Sequence, residues 1–400
     1  MAITDKEKGV WGLDQVYNKI NQGSIWDYSG AKEFWAWGTT QEGALANNSQ
    51  TQYSSPIQIS GTTWSEFAKY ICGMGGSVNN TAGNRTMFAL RTDDTLWGWG
   101  QNETGEIPIN TDDSYSSPKQ VPGSWSSVST SYYGGIGLKT DGTLWAWGRN
   151  TEGQLGQGNT TQRSSPVQIP GTWTTQFQGY SSKSVLAIRG DGTLWAWGNG
   201  GFGSLAQNNQ TQYSSPRQIP GTDWSHFPAG NSGGNSVQMF KTDGTLWGWG
   251  STSYGQLGQN TSPSGGTERF SSPVQIPGTT WDNVAGGEVF IGHKTDGTLW
   301  GMGRNSYGQL GLNSRTLYSS PVQIGSSTDW SSNVFCNDLM AGAVKTDGTL
   351  WMWGYDNWGA LGLNQGSAKY SSPVQLPGTS WGNPTDIAMS GGTMFFLKNV

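Results

Sequence analysis

The sequence is poor in the side chains that carry most enzyme chemistry and metal binding. Two histidines and two cysteines stand among 400 residues, which leaves little for His-based catalysis, a His-rich metal centre or a disulfide framework. Charge is sparse as well, with 22 basic and 27 acidic residues and a formal net charge of −5. Nucleic-acid surfaces draw their affinity from clustered Lys and Arg; the basic residues here read as scattered, so nucleic acid is not an expected partner. No apolar run approaches the ~18 residues of a spanning helix, and membrane insertion is not expected. The N-terminal Met-Ala-Ile-Thr-Asp-Lys-Glu-Lys lacks the apolar stretch of a signal peptide, an expectation of synthesis in a cytoplasm without Sec export. Cys72 and Cys336, far apart in the chain, are expected to be buried structural thiols.

What the chain has in quantity is glycine, 62 residues, and tryptophan, 23 residues. Most of the tryptophan is periodic. A phrase of the form Leu-Trp-Ala/Gly-Trp-Gly places its first Trp at positions 35, 97, 145, 195, 247, 300 and 351. Its second Trp follows two residues later in every copy except one, where Met302 stands. Ser-Ser-Pro keeps step at Pro56, Pro118, Pro166, Pro216, Pro273, Pro321 and Pro373, and a third Trp column runs through Trp64, Trp125, Trp173, Trp224, Trp281, Trp330 and Trp381. Twenty of the 23 Trp thus belong to repeat columns, so they answer a structural demand.

Each unit reads as strands. Lys139-Thr140-Asp141-Gly142-Thr143-Leu144-Trp145-Ala146-Trp147 sets Asp-Gly between apolar runs, the chemistry of a type I′ hairpin turn. Leu and a small residue point to one sheet face and the two Trp to the other, so both faces are expected to be buried. Small antiparallel sheets buried on both sides and repeated about every 50 residues stack radially into a propeller. The last unit, from Trp381 to Val400, stops short of its Leu-Trp strand, and the missing half begins the chain at Glu33-Phe34-Trp35-Ala36-Trp37. The expected fold is all-β: a seven-bladed β-propeller over residues 31–400, closed by strands from both termini, with a short N-terminal extension over 1–30. Closure in this way removes an exposed sheet edge.

The unit Asp-Gly-Thr-Leu-Trp-Ala-Trp-Gly at 141–148, followed by Gly153-Gln154-Leu155-Gly156, resembles the regulator of chromosome condensation repeat, in seven copies over about residues 31–400. The resemblance implies seven four-stranded blades. It implies little about function, because the fold hosts nucleotide exchange, enzyme inhibition, ubiquitin-ligase and adhesive roles. The chromatin-bound member acts on the small GTPase Ran through a projecting wedge and face residues, with a basic tail for nucleosomes. This sequence has no wedge-sized insertion and no basic tail, so nucleotide exchange is not the expected activity.

No catalytic or metal constellation emerges, and no cofactor is expected. Gly198-Asn199-Gly200-Gly201-Phe202-Gly203 fits the dinucleotide pattern, yet Ser-Ser-Pro follows where a helix would be needed to receive a pyrophosphate. The turn aspartates fall one per blade, whereas a calcium ion needs six or more oxygens together. His226 and His293 occupy different columns and are expected to be structural. One column varies in character: just before the Gly of Gly-Gln-Leu-Gly stand Glu42, Thr104, Glu152, Phe202, Tyr254, Tyr307 and Trp358. The four aromatics, Phe202, Tyr254, Tyr307 and Trp358, either form an arc on one rim that binds sugar rings or a protein, or cap blade interfaces.

Residues 1–30 lie outside the repeat. Trp11, Leu13, Val16, Tyr17, Ile20 and Trp26 carry its apolar groups, with 13, 16, 17 and 20 at helical spacing. The segment resembles the short Gly-Val-Trp leader of virion proteins from tailed phages, ahead of a lectin or propeller module. Together these features imply a non-enzymatic virion protein made in the host cytoplasm. Its leader would dock into other virion proteins, and its propeller would meet a host surface glycan or protein. The alternatives are a bacterial protein-binding propeller of inhibitor or scaffold type, in the cytoplasm or exported, and an enzyme whose pocket sequence does not reveal.

Overall fold

The phrase Lys-Thr-Asp-Gly-Thr-Leu-Trp folds as a hairpin tip in a computed structural model of the chain. The structure describes residues 32–38, 45–49, 51, 53–67, 86–131, 133–180, 182–228, 235–261, 268–356, 359–365, 367–378, 381, 387–390 and 393–398. At the tip, the Lys139 N–H donates to the Thr143 carbonyl at 2.9 Å and the Gly142 N–H to the Lys139 carbonyl at 3.0 Å. Only Gly142 of the Asp-Gly pair has positive φ, 82°. The connection is therefore a type I turn closed by a left-handed residue, not the expected type I′. The Asp side chain supplies the reason. Asp141 Oδ1 accepts from the Thr143 N–H at 2.9 Å and from its hydroxyl at 2.6 Å, a bracket typical of Asp at negative φ. Asp93, Asp191, Asp243, Asp296 and Asp347 make the same pair of bonds.

The bracket continues into the tryptophans. The bracketed Thr hydroxyl accepts the indole N–H of the first-column Trp, for example Trp145 at 2.7 Å and Trp195 at 2.8 Å. Each first-column ring is only half-buried, so this side of the strand is not closed off as expected. A cation covers it instead. Arg91, Lys139, Arg189, Lys241, Lys294 and Lys345 lie between the first- and third-column rings, Lys139 at 3.9 Å from Trp145 and 5.4 Å from Trp125. Six of the basic residues are thus a repeat column rather than scattered. Each contact is worth about 0.5–1 kcal/mol at an exposed site.

Seven four-stranded antiparallel units follow one another. Blade 4 shows the order: Trp173–Gly179 innermost, then Ser184–Arg189, Leu194–Gly198 and the outer Tyr213–Ile219. Blades 5, 6 and 7 repeat it. Among blades 1 to 3 the chain runs on from one outer strand into the next inner one, in Tyr53–Phe67 and Tyr115–Ser131, which merges three blades into one ten-stranded sheet. Innermost strands of adjacent blades touch side by side, where the Gly179 N–H donates to Ser129 Oγ at 3.2 Å and Asn283 Nδ2 donates to the Ser332 carbonyl at 2.8 Å. Blade 1 takes strands from both ends of the chain. Lys32–Gly38 pairs with Thr393–Lys398 from Glu33↔Lys398 to Gly38↔Thr393, and Ile387–Ser390 lies beyond.

The junctions between blades use the remaining repeat letters. The second Trp of the phrase is fully buried wherever it occurs, and in five copies its indole N–H crosses to the preceding blade. Trp147 donates to Glu106, Trp197 to Gln154, Trp249 to Ser204 and Trp353 to Gln309 carbonyls, at 2.8–2.9 Å. Backbone N–H groups of Asn48, Asn110, Gly158, Asn208, Asn260, Asn313 and Asn364 donate to the carbonyl of the first Ser of the neighbouring Ser-Ser-Pro, at 2.6–3.3 Å. The loop glycine is needed there: a Cβ at Gly105, Gly255 or Gly308 would sit 2.6 Å from the Cα of Ser164, Ser319 or Ser371, and each φ is positive. The ring closes with the same pieces, Trp37 Nε1 to the Ala360 carbonyl at 3.0 Å and the Asn364 N–H to the Ser54 carbonyl at 3.2 Å.

Met302, the exception in the second Trp column, is matched across its hairpin. It opposes Phe290, whereas Gly135, Val185, Val237 and Ala341 oppose Trp in four other blades and the unbranched Met87 and Met394 do so in the remaining two. Volume has moved from one strand to the other. Met302→Trp alone is expected to destabilise by about 1–3 kcal/mol through overpacking, and Phe290→Val alone by a similar amount through a cavity. The double variant should recover most of both losses; additive losses in denaturant melts would refute the exchange. Deleting residues 393–400 should leave Lys32–Gly38 as an open edge, and gel filtration should then show association or unfolding. A monomer with an unchanged melting temperature would refute closure by the termini.

Candidate functional site

The Asp-Gly tips lie at one end of the strands; the loops after Trp-Gly lie at the other. In blades 3 and 6 this loop is locked at its base by two amide side chains, Asn150 with Gln154 and Asn305 with Gln309, while blade 2 keeps the Asn alone and blade 5 the Gln alone. Asn150 Oδ1 accepts the Leu155 N–H at 2.9 Å while its Nδ2 donates to the Asn159 and Thr161 carbonyls at 3.0 Å. Gln154 Oε1 accepts the Glu152 N–H at 2.9 Å, and Gln256 and Gln309 do the same for Tyr254 and Tyr307. The variable column therefore sits at the tip of a rigid loop, next to the following blade.

Phe202 is 37% exposed, the large apolar side chain most open to solvent among the described residues. Tyr254 and Tyr307 are half-buried over junctions. The Arg304 guanidinium of blade 6 lies 5.3 Å from the Tyr254 ring and 6.0 Å from Tyr307. Tyr307 stacks on Tyr355 of blade 7 at 5.0 Å and 15°, and Lys369 stands 5.1 Å from one ring and 5.2 Å from the other. The structure joins Tyr254 and Tyr307 into one chain of rings and cations across blades 5 to 7 and leaves Phe202 alone on blade 4. Trp358 lies outside the described residues, as do Trp11, Leu13, Val16, Tyr17, Ile20 and Trp26.

An acidic partner set completes the sector. Arg304 pairs with Glu288 at 2.7 Å. Burial, and after it the Glu288 charge, push the Asp338 carboxyl up to about 7, with Arg304 acting in the opposite sense. Burial also raises the Tyr254 hydroxyl above its ordinary value, again helped by Glu288. On the far side of the ring the same column makes an ordinary ion pair, Glu152 to Lys183 at 3.2 Å. Glu288 and Asp338 occupy hairpin turns of no fixed composition, so no repeat letter announces them. The histidines serve packing: His293 bridges Asp282 and the Trp330 carbonyl at 3.0 Å each, and His226 stacks on Phe240 at 4.8 Å. Cys336 is a buried free thiol, whereas Cys72 lies outside the described residues. No cluster of three or more His, Cys, Asp or Glu fit for a metal occurs among the described residues.

With this geometry in hand, known proteins can be compared. The family model of the regulator of chromosome condensation (RCC1) repeat matches residues 141–179, 191–233, 243–289, 296–337 and 347–397, and a second model of the repeat matches 125–154. The chain belongs to the RCC1 repeat family. Human RCC2 is 33% identical over 131 residues, covering 32% of this chain and 24% of that protein. The human regulator of chromosome condensation is 27% identical over 166 residues, 39% of this chain and 38% of that protein. The ultraviolet-B receptor UVR8 of Arabidopsis thaliana is 27% identical over 154 residues, 36% of this chain and 33% of that protein. The matches thus span under two-fifths of these relatives. Among solved RCC1-type propellers, Prp20p of Saccharomyces cerevisiae superposes with a TM-score of 0.76 at 19% identity, covering 92% of each chain. Human WBSCR16 superposes with a TM-score of 0.72 at 18% identity, covering 92% of this chain and 99% of that one.

Two RCC1 loops depart from the amide lock in a way that pH can read. Glu106 stands where blades 3, 5 and 6 have Gln and Asp356 where blades 2, 3 and 6 have Asn; both are fully buried, and Glu106 Oε1 and Asp356 Oδ2 have no partner. Burial raises both carboxyls above their ordinary values. A folded pKa above the unfolded one means stability is greatest below the unfolded value, near pH 4, and is lost as pH rises through the folded pKa. Asp356→Asn is expected to stabilise at pH 7 by about 1–3 kcal/mol, the cost of a buried unpaired oxygen, and Glu106→Gln by less, because Gln154 in the same place leaves its own Nε2 without a partner. The gain should shrink towards pH 4 in urea melts; a gain independent of pH would refute the assignment.

Proposed function

We propose that this chain is a non-enzymatic binding propeller whose loop face, over blades 4 to 7, receives a partner. We assign it to the virion of a tailed phage, held by residues 1–30 and contacting the host surface. The observation that carries the binding reading is the break in repeat symmetry on one sector. Tip positions that are polar in blades 2 and 3 become Phe202, which stands alone, and Tyr254 and Tyr307, which are linked through Arg304, Tyr355 and Lys369. Tyr, Trp and Arg dominate binding energies, and rigid presentation lowers the entropy lost on association. Relatives of this fold support a binding role: Prp20p was studied for its binding to Gsp1p and histones, and yeast RCC1 was solved bound to Kap60. The virion assignment rests on the resemblance of the Gly-Val-Trp leader, whose residues lie outside those described.

Pelleting of labelled protein with candidate host cells and with purified surface polysaccharide tests the reading. Phe202 is the most exposed large apolar side chain among the described residues, and Phe202→Ala should leave the melting temperature within about 1 °C. It should weaken pelleting roughly tenfold, the scale of a hot-spot residue. The combined Phe202, Tyr254, Tyr307 and Trp358→Ala variant should abolish pelleting. Undiminished pelleting by a folded quadruple variant would remove the sector from the site, and no pelleting by the unmodified protein would refute host-surface contact.

A further inference from the structure

The seven junctions repeat one backbone bond, and six of them place Asn at its donor: Asn48, Asn110, Asn208, Asn260, Asn313 and Asn364, with φ between 51° and 62°. The Asn side chain also engages the neighbouring Ser-Ser-Pro. Ser165 Oγ donates to Asn110 Oδ1, Ser320 Oγ to Asn260 Oδ1 at 2.5 Å and Ser116 Oγ to Asn48 Oδ1 at 3.2 Å. At the junction of blades 3 and 4 the residue is Gly158. Its N–H still donates to Ser214 at 2.7 Å, but a Cβ there would meet only Ser215 Oγ, at 3.4 Å. Beside it lies an open notch of about 350 Å³ lined by Gly156, Gln157, Gly158, Pro170, Arg189, Ser215 and Pro216, into which an Asn side chain at 158 would project.

Arg189 gives this notch its chemistry. Its guanidinium lies flat on Trp195, 3.8 Å from the ring centroid, with Trp173 at 5.0 Å. Lys241 and Lys345, in the same column, are neutralised by Asp223 and Asp329 at 3.0 Å. The equivalent position beside Arg189 is Thr172, and Arg189 makes no ion pair or hydrogen bond in the structure. The nearby Asp191 carboxylate is turned onto Thr193. The Asp191 carboxylate interacts with Arg189 only at longer range, so a guanidinium pinned on an indole, here bordering the notch, offers its remaining edge to a carboxylate. Ser215 adds a free hydroxyl. Pro170 and Pro216 add apolar walls, and Gly156 and Gly158 open backbone. One planar anion, one hydroxyl and apolar faces match a sugar ring that bears a carboxylate, and the volume lies in the range of small-ligand sites.

We propose that the notch between blades 3 and 4 is a binding site for a uronic-acid unit, with Arg189 holding the carboxylate and Ser215 a ring hydroxyl. It lies apart from the loop-face aromatics and does not depend on the partner they receive. Saturation-transfer NMR with sodium glucuronate, glucose and N-acetylglutamate tests it. Glucuronate is expected to bind saturably, glucose not. Arg189→Gln should weaken binding roughly tenfold or more. Gly158→Asn, which installs the residue of the other six junctions, should abolish binding while holding or raising the melting temperature; this variant separates occupancy of the notch from damage to the fold. Absence of saturable glucuronate binding would overturn the site. So would binding retained in a folded Gly158→Asn variant, and N-acetylglutamate binding as tightly as glucuronate would overturn its reading as a sugar site.

Discussion

The structure depends on one constraint: a loop backbone must come within contact of the next blade's Ser-Ser-Pro strand. The donor N–H, the serine carbonyl and the loop glycine define that contact, and the buried indole N–H reinforces it from the core side. Each bond is worth about 1 kcal/mol in isolation. Their value lies in being closed on themselves, because a ring with no terminal blade has no weakest junction and no free edge. The antiparallel pairing of Lys32–Gly38 with Thr393–Lys398 extends the constraint to the chain ends. The glycine content and the Ser-Ser-Pro column, which look unrelated along the chain, are two sides of that contact.

A constraint repeated seven times separates positions that must be kept from positions that are free. The Asn and Gln at the loop base, the loop glycine and the donor to Ser-Ser-Pro are committed to the junction. The tip residue between them points outward from a locked frame and can change without disturbing it. The sequence uses that freedom unevenly, with Glu152 forming an ion pair on one side while Tyr254 and Tyr307 frame Arg304 on the other. Recognition built there inherits rigidity from the fold and specificity from a few side chains, as with loops carried on other rigid scaffolds.

Most of the fold was legible because every junction letter is a residue type: Trp columns, Ser-Ser-Pro and Gly-Gln-Leu-Gly appear in the text of the chain with a period near 50. The turn type was not, because Asp-Gly serves both type I′ turns and type I turns with a left-handed third residue, and the deciding partner is Thr143. The basic column was legible but overlooked, since Arg91, Lys139, Arg189, Lys241, Lys294 and Lys345 mix two residue types and do not cluster in sequence. The Arg304–Glu288–Asp338 set was beyond reach. Its members come from a loop and two turns of adjacent blades, and their proximity follows from where neighbouring hairpins end.

In a chain built of copies, the exceptions carry the information that the copies cannot. Asp94 takes the place of a turn glycine at φ 61°, a conformation Asp tolerates better than most residues. Met302 is offset by Phe290 on the opposing strand, so the departure is conserved in volume and reads as packing. Glu106 and Asp356 have no such offset: each leaves a buried oxygen without a donor. Gly158 is also without offset, since nothing refills the space beside Ser215, and the cation bordering that space lacks the acid that two of its counterparts have. A substitution compensated by its neighbours belongs to the fold. One that leaves polar groups unpaired costs stability that the other blades retain, and at the surface such a departure is the physical mark of a site.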